Sequence, residues 1–309
     1  MKSLYNYILE AHGVVTGEND WSSTVDVIMD LLKSNPNEES FDVPEGDLPP
    51  WLKGLKVLIQ KSSIYRWSSA CYTPSDSSIV GDKLVGQIEI TMNKIDPKHL
   101  KYVLNHEIQH AFDDWIIRVK RNTGTLSDFL YIPSGYSELR ADGDPIKHIV
   151  KILEDPAHVT FNDLFVMFDQ CTYFFSNTEI NAYLREWALS IEDYVKETGS
   201  KELDFQTCLQ NNQLEGHGPI LIINVLYKIL NIWDKIHIED DDWEYVMGAL
   251  NPRWTKRFIG KSVPGSGKEG VKNILQSIMD KYASQLIRKY NRIIKDNGII
   301  IKNGPGWLK

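Results

Sequence analysis

Apolar residues recur at helical spacing between Pro97 and Lys120, at Leu100, Val103, Leu104, Ile108, Ala111, Trp115, Ile116 and Val119. The polar residues set among them limit what such a helix can pack against. Asp96-Pro97 supplies an N-cap and then proline at the first helical position, so the pattern predicts one helix over 97–120. At the edge of its apolar stripe sits Asn105-His106-Glu107-Ile108-Gln109-His110. Residues four apart on a helix lie one above the other, so His106 and His110 can aim ring nitrogens at one point. Two imidazoles converging beside a buried face suit a zinc ion. Glu107, one residue on, reaches past the metal toward a bound water, where a carboxylate serves as general base. The same residues on a solvent-facing helix would carry no such meaning; the half-buried helical setting gives the motif its weight.

Two histidines leave a catalytic zinc site one protein ligand short, because such sites take three and keep the fourth position for water. Two downstream glutamates compete for the place, Glu138 in Ser137-Glu138-Leu139-Arg140-Ala141-Asp142 and Glu179 in Thr178-Glu179-Ile180-Asn181-Ala182-Tyr183. Both have an alanine three residues on, which would let the ligand-bearing helix approach the histidine helix closely. Gly143 and Asp144-Pro145 interrupt the Glu138 segment within a turn or so. Glu179 instead opens a run whose apolar positions, Ile180, Tyr183, Leu184, Trp187, Ala188, Ile191 and Val195, keep helical period to about Glu197, which would hold a ligand rigidly. The competing explanation of Glu179 is a capping box with Ser176, and that of Glu138 an exposed first-turn acid.

His106-Glu107-Ile108-Gln109-His110 resembles the zinc motif of the zincin metallopeptidases, and a glutamate as third ligand would make the chain similar to their gluzincin branch. The strings His-Glu-Ile-Gln-His-Ala-Phe-Asp-Asp-Trp, 106 to 115, and Tyr-Phe-Phe-Ser-Asn-Thr-Glu-Ile-Asn-Ala-Tyr, 173 to 183, also resemble small zincin-like proteins encoded by bacteria and their phages. That resemblance, which spans roughly residues 84 to 190, implies Glu179 as the third ligand. The Glu-x-x-Ala-Asp form at Glu138 points the other way, since several gluzincins carry their ligand in such a string, with the aspartate orienting a zinc histidine. The expected activity is zinc-dependent hydrolysis, of a peptide or protein substrate, with Glu107 as the base. The alternative is a zincin-fold structural or binding protein without turnover, for example a phage particle component. The resemblance further implies that Ile88 to Met92 forms the sheet's edge strand along the cleft, where an extended peptide could add.

Tyr136, Tyr173, Tyr183 and His217 are chemically suited to stabilise an oxyanion, and Asn105, Asp113, Asp114 and Asp142 to accept a hydrogen bond from the far nitrogen of a ligand histidine. Gly260-Lys261-Ser262 and Gly265-Ser266-Gly267-Lys268 lack the spacing of a phosphate loop and predict a flexible loop instead. A net charge of −8 offers no basic excess to neutralise phosphates, so nucleic acid is not the expected partner. Cys71, Cys171 and Cys208 form no paired spacing, which argues against both a disulfide framework and a cysteine zinc site. No stretch has the roughly 18 uninterrupted apolar residues of a membrane span, and residues 1 to 10 lack a signal-peptide pattern. An intracellular location is expected, or the virion if the chain is phage-encoded.

With 42% apolar residues over 309 positions, the chain can bury one large core or two modest ones. Helical patterns at 4–12 and 21–33 precede a loop-like stretch, 34–50, containing Pro36, Pro44, Pro49 and Pro50. Strand-like runs follow at 56–60, 69–73 and 84–92, and after the histidine helix the pattern is helical at 145–153, 161–175, 177–197, 219–236, 243–250 and 270–297. The expected fold is therefore α+β, a small three- to four-stranded sheet packed on the histidine helix and followed by a mostly helical C-terminal part. Its expected divisions are an N-terminal helical segment and linker over 1–50, a core over 51–199 and a helical subdomain over 200–309.

Overall fold

A computed structural model describes residues 22–34, 40–42, 56–60, 70–80, 83–91, 100–115, 145–175, 177–204, 218–250, 259–296 and 298–302. The fold is α+β and mostly helical. The chain divides into two compact units, and the division is discontinuous. Met1–Tyr131 and Asn177–Ser200 form one, Ile132–Ser176 and Lys201–Lys309 the other. This differs from the contiguous blocks expected over 1–50, 51–199 and 200–309. Residues 132–176 go with the C-terminal part because their helices bury apolar faces there.

In the first unit, helix α1, Ser22–Ser34, turns Val25, Ile28 and Leu32 inward at helical spacing. Strands β1 (Ser40–Asp42), β2 (Lys56–Gln60), β3 (Ala70–Val80) and β4 (Lys83–Thr91) form a sheet in the order β1-β2-β4-β3. β1 lies inside the stretch expected as loop. Three residues carry too little local pattern to announce a strand, and this one exists only through its antiparallel partner, Phe41 opposite Val57. β4 is interior, parallel to β2 and antiparallel to β3. The expectation that Ile88 to Met92 forms the edge is thus overturned for the strand's described residues; the edges are β1 and β3. Strand order depends on non-local pairing, which alternation within one strand cannot encode. Val57, Ala70, Tyr72, Ile88 and Ile90 point to the buried face, where α2, Leu100–Trp115, packs. Residues 97–99 and 116–120 of the predicted helix lie outside the described residues. α5, Asn177–Thr198, packs against α2 and completes the unit.

In the second unit, α3 (Pro145–Glu154) pairs with α4 (Phe161–Phe174). α4 buries Leu164, Met167, Phe168 and Cys171 at successive helical turns, against α6 (Gly218–Asn231) and α7 (Asp240–Ala249). The helix expected over 219–236 stops at Asn231, and Trp233–Lys235 forms a 3-10 turn that sets Trp233 against Trp243 at 5.6 Å. α8, Gly267–Asp296, buries Val271, Ile274, Leu275, Ile278, Tyr282 and Leu286, with Phe175 stacked on Tyr282 at 4.7 Å. Its entry is tight: Gly265 has φ of +115°, and a Cβ there would lie 2.9 Å from the Gly270 backbone. The phosphate-loop fragments thus serve as the entry to α8, and Lys268 donates to the Ile236 carbonyl at 2.6 Å. Two short strands, β5 (Glu202–Asp204) and β6 (Ile300–Lys302), pair in parallel; neither has a sequence signature. Among the described residues no helix is long and apolar enough to cross a membrane.

Candidate metal centre

The histidine helix buries Asn105, His106, Glu107, Gln109, His110, Asp113 and Asp114 along with its apolar residues. Each buried polar group left without a partner costs of order 1–3 kcal/mol, and the elements around α2 meet several of these groups, though Asn105 Oδ1 and Gln109 Oε1 are buried without a hydrogen bond. α5 supplies Glu179; Ser176, its partner in the alternative capping box, lies outside the described residues. Glu179 Oε2 lies 3.6 Å from His106 Nε2 and Glu179 Oε1 lies 3.4 Å from His110 Nε2, while the two Nε2 atoms stand 3.1 Å apart. All three side chains are buried.

These separations test the donor set. Ligands about 2.0–2.2 Å from one tetrahedral ion lie roughly 3.3–3.5 Å from each other; here the two Nε2 atoms are 3.1 Å apart, each has a different Glu179 oxygen at 3.4 or 3.6 Å, and one donor atom from each of the three residues lies within 4.8 Å of the others. Two imidazoles and one carboxylate are also the donor types that zinc takes in catalytic sites. The residues present therefore fit a zinc ion. Without one, His106 and His110 can face each other only if one ring donates and the other accepts. Burial acts to lower both rings. For His106 it is outweighed by the Glu179 and Glu186 carboxylates, so that ring is raised well above its ordinary value. For His110 burial wins, aided by His106 and opposed by Glu179, and the ring is held down at about 4.

Glu107 sits beside this cluster with one oxygen fixed. Its Oε2 accepts the main-chain N–H of Tyr72, on edge strand β3, at 2.7 Å. Burial pushes its carboxyl up to about 7; Glu179 adds to the rise, while His106 and the Tyr72 N–H oppose it. A carboxyl poised near neutrality can both take and return a proton, which is the property a general base needs. Cys71, next to Tyr72, is a free thiol pushed up to about 12 by burial and by Glu107 and Glu89, which leaves it protonated and without nucleophilic character at neutral pH.

The partner of the far nitrogen of His106 is Glu186, at 3.2 Å to Nδ1. For His106 this residue is not among Asn105, Asp113, Asp114 and Asp142, the residues expected in that role. Asp113 instead accepts from Gln109 at 3.0 Å and Asn181 at 3.2 Å, Asp114 from the Tyr72 hydroxyl at 2.8 Å, and Asn105 donates to the Lys101 carbonyl. Glu186 was findable: it lies two helical turns beyond Glu179 on the same face of α5. The Tyr72 N–H was not, because a main-chain donor leaves no mark in sequence. Tyr183 lies one turn past Glu179 with its ring edge-on to His106 at 4.6 Å, whereas Tyr173 is on α4 of the second unit. Glu138, Tyr136, Asp142 and His217 lie outside the described residues.

Comparison of the chain with models of protein families, with curated proteins and with solved structures gives no significant match.

Proposed function

We propose that the chain is a zinc-dependent hydrolase of the zincin type that cleaves peptide bonds. One observation carries the proposal: Glu179, far along the chain, brings its carboxylate to 3.6 Å from His106 Nε2 and 3.4 Å from His110 Nε2 in a buried cluster able to hold an ion, beside a buried carboxylate suited to proton transfer. A site needed only for structure has no use for that carboxylate.

In this proposal His106, His110 and Glu179 hold the ion. Zinc, when bound, polarises a substrate carbonyl and makes water acidic enough to attack near neutral pH. With Oε2 of Glu107 committed to the Tyr72 N–H, Oε1 takes the proton from the attacking water and returns it to the leaving amine. Glu186 accepts the His106 Nδ1 proton, which fixes the tautomer and leaves Nε2 to the ligand point. Tyr183, one of the oxyanion candidates, braces the His106 ring.

The experiment is metal content together with peptide release from an unfolded protein such as casein. Wild type should carry about one zinc per chain. Glu107→Gln should keep the zinc and lose at least about 100-fold in rate. Glu179→Ala should lose the metal, and Glu138→Ala should not. A zinc-loaded wild type without turnover would put a structural or binding role in place of catalysis; no zinc uptake at all would remove the hydrolase.

A further inference from the structure

We propose that Tyr72 is a positioning residue for Glu107, with Asp114 as its anchor; this rests on the assignment of Glu107 as the base. Tyr72 meets α2 twice. Its main-chain N–H donates to Glu107 Oε2 at 2.7 Å, and its hydroxyl donates to Asp114 Oδ2 at 2.8 Å. Glu107 and Asp114 are two turns apart on the helix, so the two bonds pin one residue of β3 across a fixed length of α2. Tyr72 is 5% exposed and Asp114 fully buried, and water does not compete strongly for either bond.

The strand is arranged to make this donation. Tyr72 lies opposite Ile88 in the antiparallel ladder, and along such a strand successive residues turn their N–H groups alternately toward and away from the neighbour. The Tyr72 N–H is used on α2, so it belongs to the side facing away. Pro74, two residues on, falls on that same side, where its missing N–H removes no ladder bond. The main chain of β3 therefore gives its one amide at this level to Glu107. The carboxylate has two oxygens, and fixing one leaves the other at a defined place and angle. The phenol acts at a distance: it cannot touch a substrate bond, but it sets how far the donating N–H stands from the helix. A shift of about 1 Å at a reacting group is enough to cost a large factor in rate.

The test compares zinc-loaded wild type with Tyr72→Phe, which keeps the ring and removes the anchor bond, and with Asp114→Asn, which keeps an acceptor for the phenol. Because Tyr72→Phe takes a hydrogen bond from a buried carboxylate, the pair Tyr72→Phe with Asp114→Leu is included as a variant that removes both partners at once. Expected for Tyr72→Phe and for the pair are full zinc content, a KM within about twofold of wild type and a kcat lowered about tenfold. Amide exchange at residue 72 should quicken about tenfold, while the ladder amides of β4 stay protected. Asp114→Asn should retain most of the rate. A zinc-loaded Tyr72→Phe or paired variant with unchanged kcat overturns the proposal, as does a loss of rate that only follows loss of zinc. A zinc-loaded wild type with no turnover overturns the functional assignment first and this role with it.

Discussion

Helices α2 and α8 both lie deep in their own units, and they are built from opposite chemistry. Seven of the twelve buried residues of α2 are polar, from Asn105 to Asp114. The buried side chains described on α8 are Val271, Ile274, Leu275, Ile278, Tyr282 and Leu286. The α8 unit is held by filling volume. The α2 unit is held by satisfying groups one at a time: Tyr72 on Asp114 and Glu107, Asn181 on Asp113, Glu186 on His106. Apolar packing tolerates small shifts, because dispersion is non-directional and spread over many contacts. Hydrogen-bonded partners of fixed length do not. The unit that spends stability on buried polar groups thereby sets atoms to within a few tenths of an ångström, which is what a site needs and a scaffold does not.

The comparison can be broken from either side. The largest effect belongs to the apolar unit: Leu275→Ala, at a fully buried position, should cost about 3 kcal/mol in urea unfolding, with amides of α6 and α8 losing protection. Next comes zinc. At roughly 100 times its Kd, free zinc should stabilise the first unit by about 2.7 kcal/mol, read as added exchange protection in α2 and α5 and none in α8. Equal gains in both units would erase the contrast.

A smaller effect tests the main polar exception in the second unit. Burial alone would raise Asp163, but Thr160, Lys151 and His148 all bond its carboxylate and hold it at about 2, below its ordinary 3.8. A carboxylate depressed in the folded state stabilises the fold above its unfolded value and loses that contribution as pH falls through the folded one. The stability gap between wild type and Asp163→Asn should therefore be about 2 kcal/mol at pH 6, shrink from pH 4 downward and close near pH 2. A gap that widened in acid would contradict the assignment. The smallest effect is at the surface: Asp30→Ala, which breaks an exposed pair with Lys33 at 3.5 Å, should change stability by less than about 0.5 kcal/mol in the same urea assay.

Much of this was legible in the sequence, and the part that was not has a common cause. α2, α4, α5 and α8 follow from periodicity, and Glu179 was one of two glutamates the sequence offered, favoured by its place at the head of a rigid helix and by the zincin resemblance, with Glu138 outside the described residues. What escaped was non-local. β1 exists through Val57, the interior place of β4 through its parallel pairing with β2, and the grouping of residues 132–176 through distant apolar faces. Glu186 has helical periodicity on its side, yet among the other acids of α5 only the position of His106 singles it out. The acids beside the motif, Asp113 and Asp114, accept bonds from Asn181, Gln109 and Tyr72.

The discontinuity of the first unit also has a consequence in time. During synthesis α2 leaves the ribosome about 70 residues ahead of Glu179, and at 5–20 residues per second that is a wait of roughly 4 to 14 s. Throughout it, His106, His110 and Glu107 have no α5 to meet, while the chain being made, residues 132–176, belongs to the other unit. A longer insert there would prolong the wait without altering a single residue of the site.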